Sequence, residues 1–128
     1  MSDLNTRHNL VVWFDIPVAD LDRARAFYAA VLAIEVQTES FGGVSFCVFA
    51  HDECNGGCLV PAPDDAGATR GVLLYLNVDG RLRDALQQTE GYGGRVLQRA
   101  HPIGPHGWRA LVLDSEGNRI ALHSTVDA

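Results

Sequence analysis

Four places in this chain carry side chains able to do chemistry. Asp15 stands in a run of Val, Trp, Phe and Ile between Val12 and Ile16. A carboxylate there is costly to bury unpaired, so it either points to solvent or is held for a purpose. His123 follows the apolar run Ile120-Ala121-Leu122 and reads either as a hydrogen-bonded structural imidazole or as an acid–base group near neutral pH. His51-Asp52-Glu53-Cys54-Asn55-Gly56-Gly57-Cys58 gathers His, Asp, Glu and two Cys in one short segment. Its Cys-x3-Cys spacing would need a second ligand pair to hold zinc, and none is evident; no basic residue is placed to activate either thiol. The segment reads as a polar turn with one cysteine buried as a small hydrophobe. The fourth place is the loop His101-Pro102-Ile103-Gly104-Pro105-His106-Gly107-Trp108, either a lid or specificity element or an ordinary hairpin connection with exposed histidines. No carboxylate lies between His101 and His106, so a metal there would be adventitious.

The elements that must position these groups come from a chain of 128 residues, 47% hydrophobic, enough for one domain with one core. The net charge is −6, and the ten basic residues are arginines scattered in ones and twos. No basic run matches regularly spaced phosphates, so nucleic acid is not the expected partner. Met1 to His8 lack a basic stretch followed by an apolar one, and no segment is apolar for about 18 residues. Together with three cysteines, an odd number, this predicts a soluble cytoplasmic protein with no membrane partner.

Leu10 to Val18 is β-branched and aromatic and reads as a strand, with Asp20 as the N-cap of the helix that follows. Leu21, Ala24, Phe27, Tyr28, Val31 and Leu32 recur at threes and fours, one stripe of an amphipathic helix that must lie on a sheet. Strands follow at Ile34 to Glu39, Val44 to Ala50 and Gly56 to Val60, closed by Pro61 and Pro63. The order then recurs: a strand from Val72 to Val78, a weaker helix from Leu82 to Tyr92, and strands at Arg95 to Arg99, Trp108 to Leu113 and Arg119 to Ser124. The chain therefore reads as an α+β protein of two βαβββ modules, about 10–61 and 71–125, joined by a linker at about 62–70. A repeat present only twice is not a solenoid; two small sheets enclosing one site is the economical reading. Pro17 cannot donate to a ladder, which places its strand at a sheet edge or ends it early.

Two stretches carry a resemblance. Ile16-Pro17-Val18-Ala19-Asp20-Leu21-Asp22-Arg23-Ala24-Arg25-Ala26-Phe27-Tyr28 resembles the opening strand and helix of the glyoxalase/bleomycin-resistance/dioxygenase (vicinal oxygen chelate) superfamily. Leu113-Asp114-Ser115-Glu116-Gly117-Asn118-Arg119-Ile120-Ala121-Leu122 resembles its closing hairpin. The resemblance implies two curled mixed sheets around a cup. In metal-dependent members four ligands, mostly His and Glu, come from the first and last strand of each module. Carried onto this chain, those positions are Trp13, about Leu73, Ala121 and one of Cys58, Leu59 and Val60. Only Cys58 has a donor atom, a soft one ill suited to hard cations. The expectation is a protein without a cofactor or divalent metal, in a family that includes pure binders such as bleomycin-resistance proteins.

Alternation along the strands places Asp15 beside Trp13, Tyr75 and Asn77 beside Leu73, and His123 beside Ala121 on the cup face. With Cys58, and with His106 and Trp108 from the loop, these form the expected ligand-binding wall; Trp13, Tyr28 and Tyr75 have core packing as their plainer role. The expected function is binding of a small, largely apolar molecule by a homodimer. The alternative is a lyase, isomerase or dioxygenase-type enzyme, with Asp15 and His123 as the acid–base pair of a metal-free version.

Overall fold

The first strand, β1 (Asp15–Val18), hands over to helix α1 (Leu21–Leu32) at Asp20. The Asp20 backbone is extended and its carboxylate accepts from the Arg23 N–H at 3.0 Å, satisfying one of the free donors of the first turn. These details come from a computed structural model, which describes residues 10–52 and 54–128. The N-terminal stretch Met1 to His8 and Glu53 of the polar cluster lie outside the described residues. After α1 come β2 (Val36–Phe41), β3 (Val44–Phe49) and β4 (Cys58–Pro61). The second module runs β5 (Tyr75–Asn77), α2 (Leu82–Gly91), β6 (Arg95–Pro102), a single 3-10 turn (Gly104–His106), β7 (Trp108–Leu113) and β8 (Arg119–Ser124).

The two modules form four-stranded sheets of the same topology, β1-β4-β3-β2 and β5-β8-β7-β6. In each, the first and last strand of the module pair in parallel and the other pairs are antiparallel. The α+β fold of two βαβββ modules is thus present, with the sheets open rather than closed into a barrel. β1 is an edge strand, which is how Pro17 is accommodated without a lost ladder bond.

Alternation divides each sheet into a buried and a helix-free face. Ile16, Val18, Val36, Cys47, Phe49 and Leu59 join Ala24, Phe27, Tyr28 and Val31 of α1 in the core. Leu76, Val78, Ala110, Val112, Ile120 and Leu122 join Leu82 and Ala85 of α2 in the same cluster, and α1 packs against α2. Thr89 is fully buried yet costs little, because its hydroxyl donates to the Ala85 carbonyl at 2.8 Å. Gly94 lies where helix, strand and α1 converge: an added Cβ would stand 2.6 Å from the Leu113 carbonyl oxygen and 2.7 Å from the Phe27 ring.

The β7–β8 hairpin clasps the modules together. The Tyr28 hydroxyl donates to Asp114 at 2.5 Å, and the Asn118 amide donates to the Pro17 carbonyl at 2.8 Å while its oxygen accepts from the Gly67 and Ala68 N–H groups. Glu116 accepts from Arg23 and from the Ala19 and Asp20 N–H groups, a second cap on the start of α1. Burial alone would raise the Glu116 carboxyl, but Arg23 and the surrounding N–H and hydroxyl donors outweigh it and hold it at about 2. The Asp-Ser-Glu-Gly-Asn segment is therefore structural chemistry. Tyr28 follows the same logic: burial first, then the Asp114 charge, push its phenol well above 10.

Several sequence expectations need correction. The first strand begins at Asp15 and not Leu10, because β4 is only four residues long and pairs with nothing before Asp15 beyond one bond from Cys58 N–H to the Phe14 carbonyl. β5 is likewise trimmed to Tyr75–Asn77, leaving Leu73 outside the strand. β6 runs on to Pro102 through two register shifts, which shortens the expected loop and puts His101 in the sheet. Trp108, expected in the ligand-binding wall, lies on the helix side and packs against the core.

Candidate functional site

The helix-free face of the second sheet carries a row of polar side chains. Asn77 on β5 pairs with His123 on β8, His123 with Arg109 on β7, and Arg109 with His101 on β6. Residues opposite one another in a ladder share a face, so the row crosses all four strands. Tyr75 stands one row away, level with Ala121, and is 48% exposed. The Arg109 guanidinium spans the two rows: its Nε donates to His101 Nε2 at 3.1 Å, its Nη1 to the Tyr75 hydroxyl, and its Cζ lies 5.9 Å from the Tyr75 ring centre. Ala121, fully buried, leaves room for that reach.

The histidines of the row are held in defined roles. His101 Nδ1 lies 2.8 Å from the Arg99 carbonyl and so carries the proton, leaving Nε2 as the acceptor for Arg109. His123 Nε2 lies 2.7 Å from the His106 carbonyl and must donate to it. The His106 contribution is thus its backbone carbonyl. Asn77 uses its side-chain oxygen to accept from the Asp79 N–H at 2.9 Å.

On the first sheet, Asp15 is exposed and accepts from the Cys58 thiol at 3.1 Å. Burial, then the bond to Asp15, pushes that thiol up to about 11, opposed in part by the Trp13 indole N–H. A thiol so held is a poor nucleophile at neutral pH. Trp13 is half-buried and meets the His51 ring edge-on at 5.6 Å. Cys54 donates back to the His51 carbonyl, and His51 Nδ1 lies 3.0 Å from the Cys54 carbonyl, so these two groups of the polar cluster close a turn.

Between the modules is a cleft of about 250 Å³ lined by Phe14, Ile16, Pro17, Val72, Leu74 and Ile120, with Asp15 and Arg119 as charged members. The Arg119 Nε is buried without a hydrogen-bond partner among the described residues. Of the expected wall, Asp15 lines this cleft, and Tyr75, Asn77, Ala121 and His123 share the face of the second sheet. Asp15 and His123 are each hydrogen-bonded within their own module, and no hydrogen bond joins them among the described residues. The sequence reading missed Arg109 and Arg119; both fall in step with their strands' cup-facing residues, a signal that alternation alone carried.

The metal site that the sequence resemblance implies does not fit these residues. Trp13, Leu73 and Ala121 have no donor for a cation, and Cys58 is committed to Asp15. Among the described residues no three His, Cys, Asp or Glu side chains come together as a ligand set.

Residues 11–50 match the family model described as bleomycin resistance protein-like N-terminal. No curated protein is similar enough in sequence to match. Among solved structures, a glyoxalase/bleomycin resistance protein from Albidiferax ferrireducens superposes with TM-score 0.71 at 15% identity, over 91% of this chain and 98% of that one. A hypothetical protein from S. aureus gives 0.72 at 15% identity, over 91% and 94%. The fosfomycin resistance protein FosX from Listeria monocytogenes gives 0.68 at 12% identity, over 91% and 93%.

Proposed function

We propose that this chain, which has the fold of the glyoxalase/bleomycin-resistance/dioxygenase superfamily, is a metal-free binder of a small, largely apolar molecule. The observation that carries this is the cleft between the modules, apolar on most of its walls and with Asp15, Asn118 and Arg119 as its polar side chains. That composition is the usual one for a small-molecule site, where a few polar groups set orientation and apolar contact supplies affinity. The replacement of donor residues at the implied ligand positions supports the metal-free part. The enzyme alternative needs Asp15 and His123 to act on one substrate, and their separate hydrogen bonds do not favour it.

The same reading includes a second copy as partner and a cytoplasmic setting. Three free thiols, one of them exposed, suit a reducing compartment, and no helix among the described residues is long and apolar enough to cross a membrane. Phe41 and Val44, exposed at the β2–β3 tip, suit a subunit contact. Sedimentation reads this directly: a particle of twice the chain's 13.9 kDa is expected, and a monomer at micromolar concentration refutes the dimer.

Metal analysis after dialysis, beside a thermal-shift screen of small apolar metabolites, tests the function. A ligand at a hundred times its Kd stabilises the native state by about 2.7 kcal/mol. The expected result is protection of the wild type and loss of protection in Val72→Asp, a change at a side chain 88% exposed and therefore compatible with folding. Stoichiometric metal, or protection equal in both proteins, overturns the reading.

A further inference from the structure

We propose that Arg109, held between His101 and Tyr75 on the helix-free face of the second sheet, is the anchor of a binding site for a small oxyanion of the carboxylate or phosphate class. The proposal goes beyond the apolar cleft and does not depend on it.

Three ion pairs join described residues, Arg23–Glu116, Arg81–Asp84 and Arg83–Asp127, and each gives its arginine a carboxylate. Arg109 is half-buried and is bonded instead to two neutral groups, an imidazole nitrogen and a phenol oxygen. The imidazole is neutral by its hydrogen bonds: Nδ1 must donate to the Arg99 carbonyl, so Nε2 can receive Arg109 only as a lone pair. A guanidinium withdrawn partly from water, with no carboxylate paired to it among the described residues, is an unbalanced charge.

Geometry supplies the rest. Of the five N–H donors of a guanidinium, the bonds to His101 and Tyr75 use two, leaving three, with both Nη2 hydrogens among them. His101 and Tyr75 grip the fork from two sides, so its plane is set before a ligand arrives, and a planar or tetrahedral oxyanion is what such a fork matches. Asn77, in the same row of the sheet, has its oxygen occupied by the Asp79 N–H. The free donors are those of the Arg109 fork, and the side chains that fix it are neutral acceptors that an incoming anion does not repel.

Isothermal titration of the wild-type protein with benzoate, with inorganic phosphate and with chloride at matched ionic strength is the test, repeated on Arg109→Gln, Arg109→Lys and Tyr75→Phe. Saturable binding of benzoate or phosphate above the chloride background is expected, weakened at least tenfold in Arg109→Gln. Arg109→Lys should recover part of it, since it keeps the charge and loses the fork. Benzoate preferred over phosphate assigns an organic carboxylate, and the reverse assigns a phosphate. Circular dichroism checks that each variant is folded, and Tyr75→Phe, which removes only an oxygen, carries the test if Arg109→Gln does not fold: a several-fold loss is expected. No saturable binding of either anion to wild type, or equal binding in Arg109→Gln or in Tyr75→Phe when that variant stands in, overturns the proposal.

Discussion

Replacing Glu116 by Gln probes the clasp between the modules with the smallest change of shape. The Glu116 side chain is fully buried in its contact with Arg23, and its oxygens accept from Arg23 Nε at 2.7 Å and from the Asp20 and Ala19 N–H groups at 2.8 and 2.9 Å. A carboxyl lowered from 4.5 to about 2 contributes roughly 3 kcal/mol to stability at neutral pH. Arg23 is half-exposed, so solvent screening reduces the expected effect to about 2 kcal/mol. Because the folded value is depressed, this stability is present above 4.5 and is lost as pH falls toward 2. Urea denaturation of wild type and Glu116→Gln from pH 7 to pH 2.5 measures it. The two stabilities should differ by about 2 kcal/mol at pH 7 and converge on acidification, whatever other carboxylates do, since those titrate alike in both proteins. A difference that is constant with pH, or below about 0.5 kcal/mol at neutrality, refutes the electrostatic account.

Further outcomes follow from the same packing. Tyr28→Phe leaves the buried Asp114 short of one donor and should cost about 1–3 kcal/mol in urea denaturation. The raised Tyr28 value means its contribution is present below pH 10 and lost as pH rises through the folded value, so ultraviolet titration should show one tyrosine ionising only with alkaline unfolding. Gly94→Ala should cost about 1–3 kcal/mol or more by collision with the Leu113 carbonyl and Phe27, whereas Gly91→Ala, with nothing within 4 Å, should be neutral or stabilising by up to about 1 kcal/mol in thermal melts. With a thiol-specific disulfide reagent at pH 8, Cys54 should react first; Cys58, buried and raised to about 11, and Cys47, fully buried, should lag until the protein unfolds.

Local pattern decided a great deal of this protein. The three-and-four spacing of Ala24, Phe27, Tyr28 and Val31 could bury only as one stripe of a helix, Asp20 could cap it without help from elsewhere, and Pro17 was confined to an edge strand by its missing N–H. The twofold βαβββ order was visible because each element signals itself within about a dozen residues. What the chain could not announce is which distant groups meet. Asp114, Glu116 and Asn118 read as turn residues and are also the clasp that joins the second module to α1, because the fold carries the hairpin back across nearly a hundred positions. His101 read as part of a loop, since two register shifts in β6 break the period that would have shown its face. Arg109 shares its site with Tyr75, from another strand, only through ladder register, and register is a property of paired strands that no single segment contains.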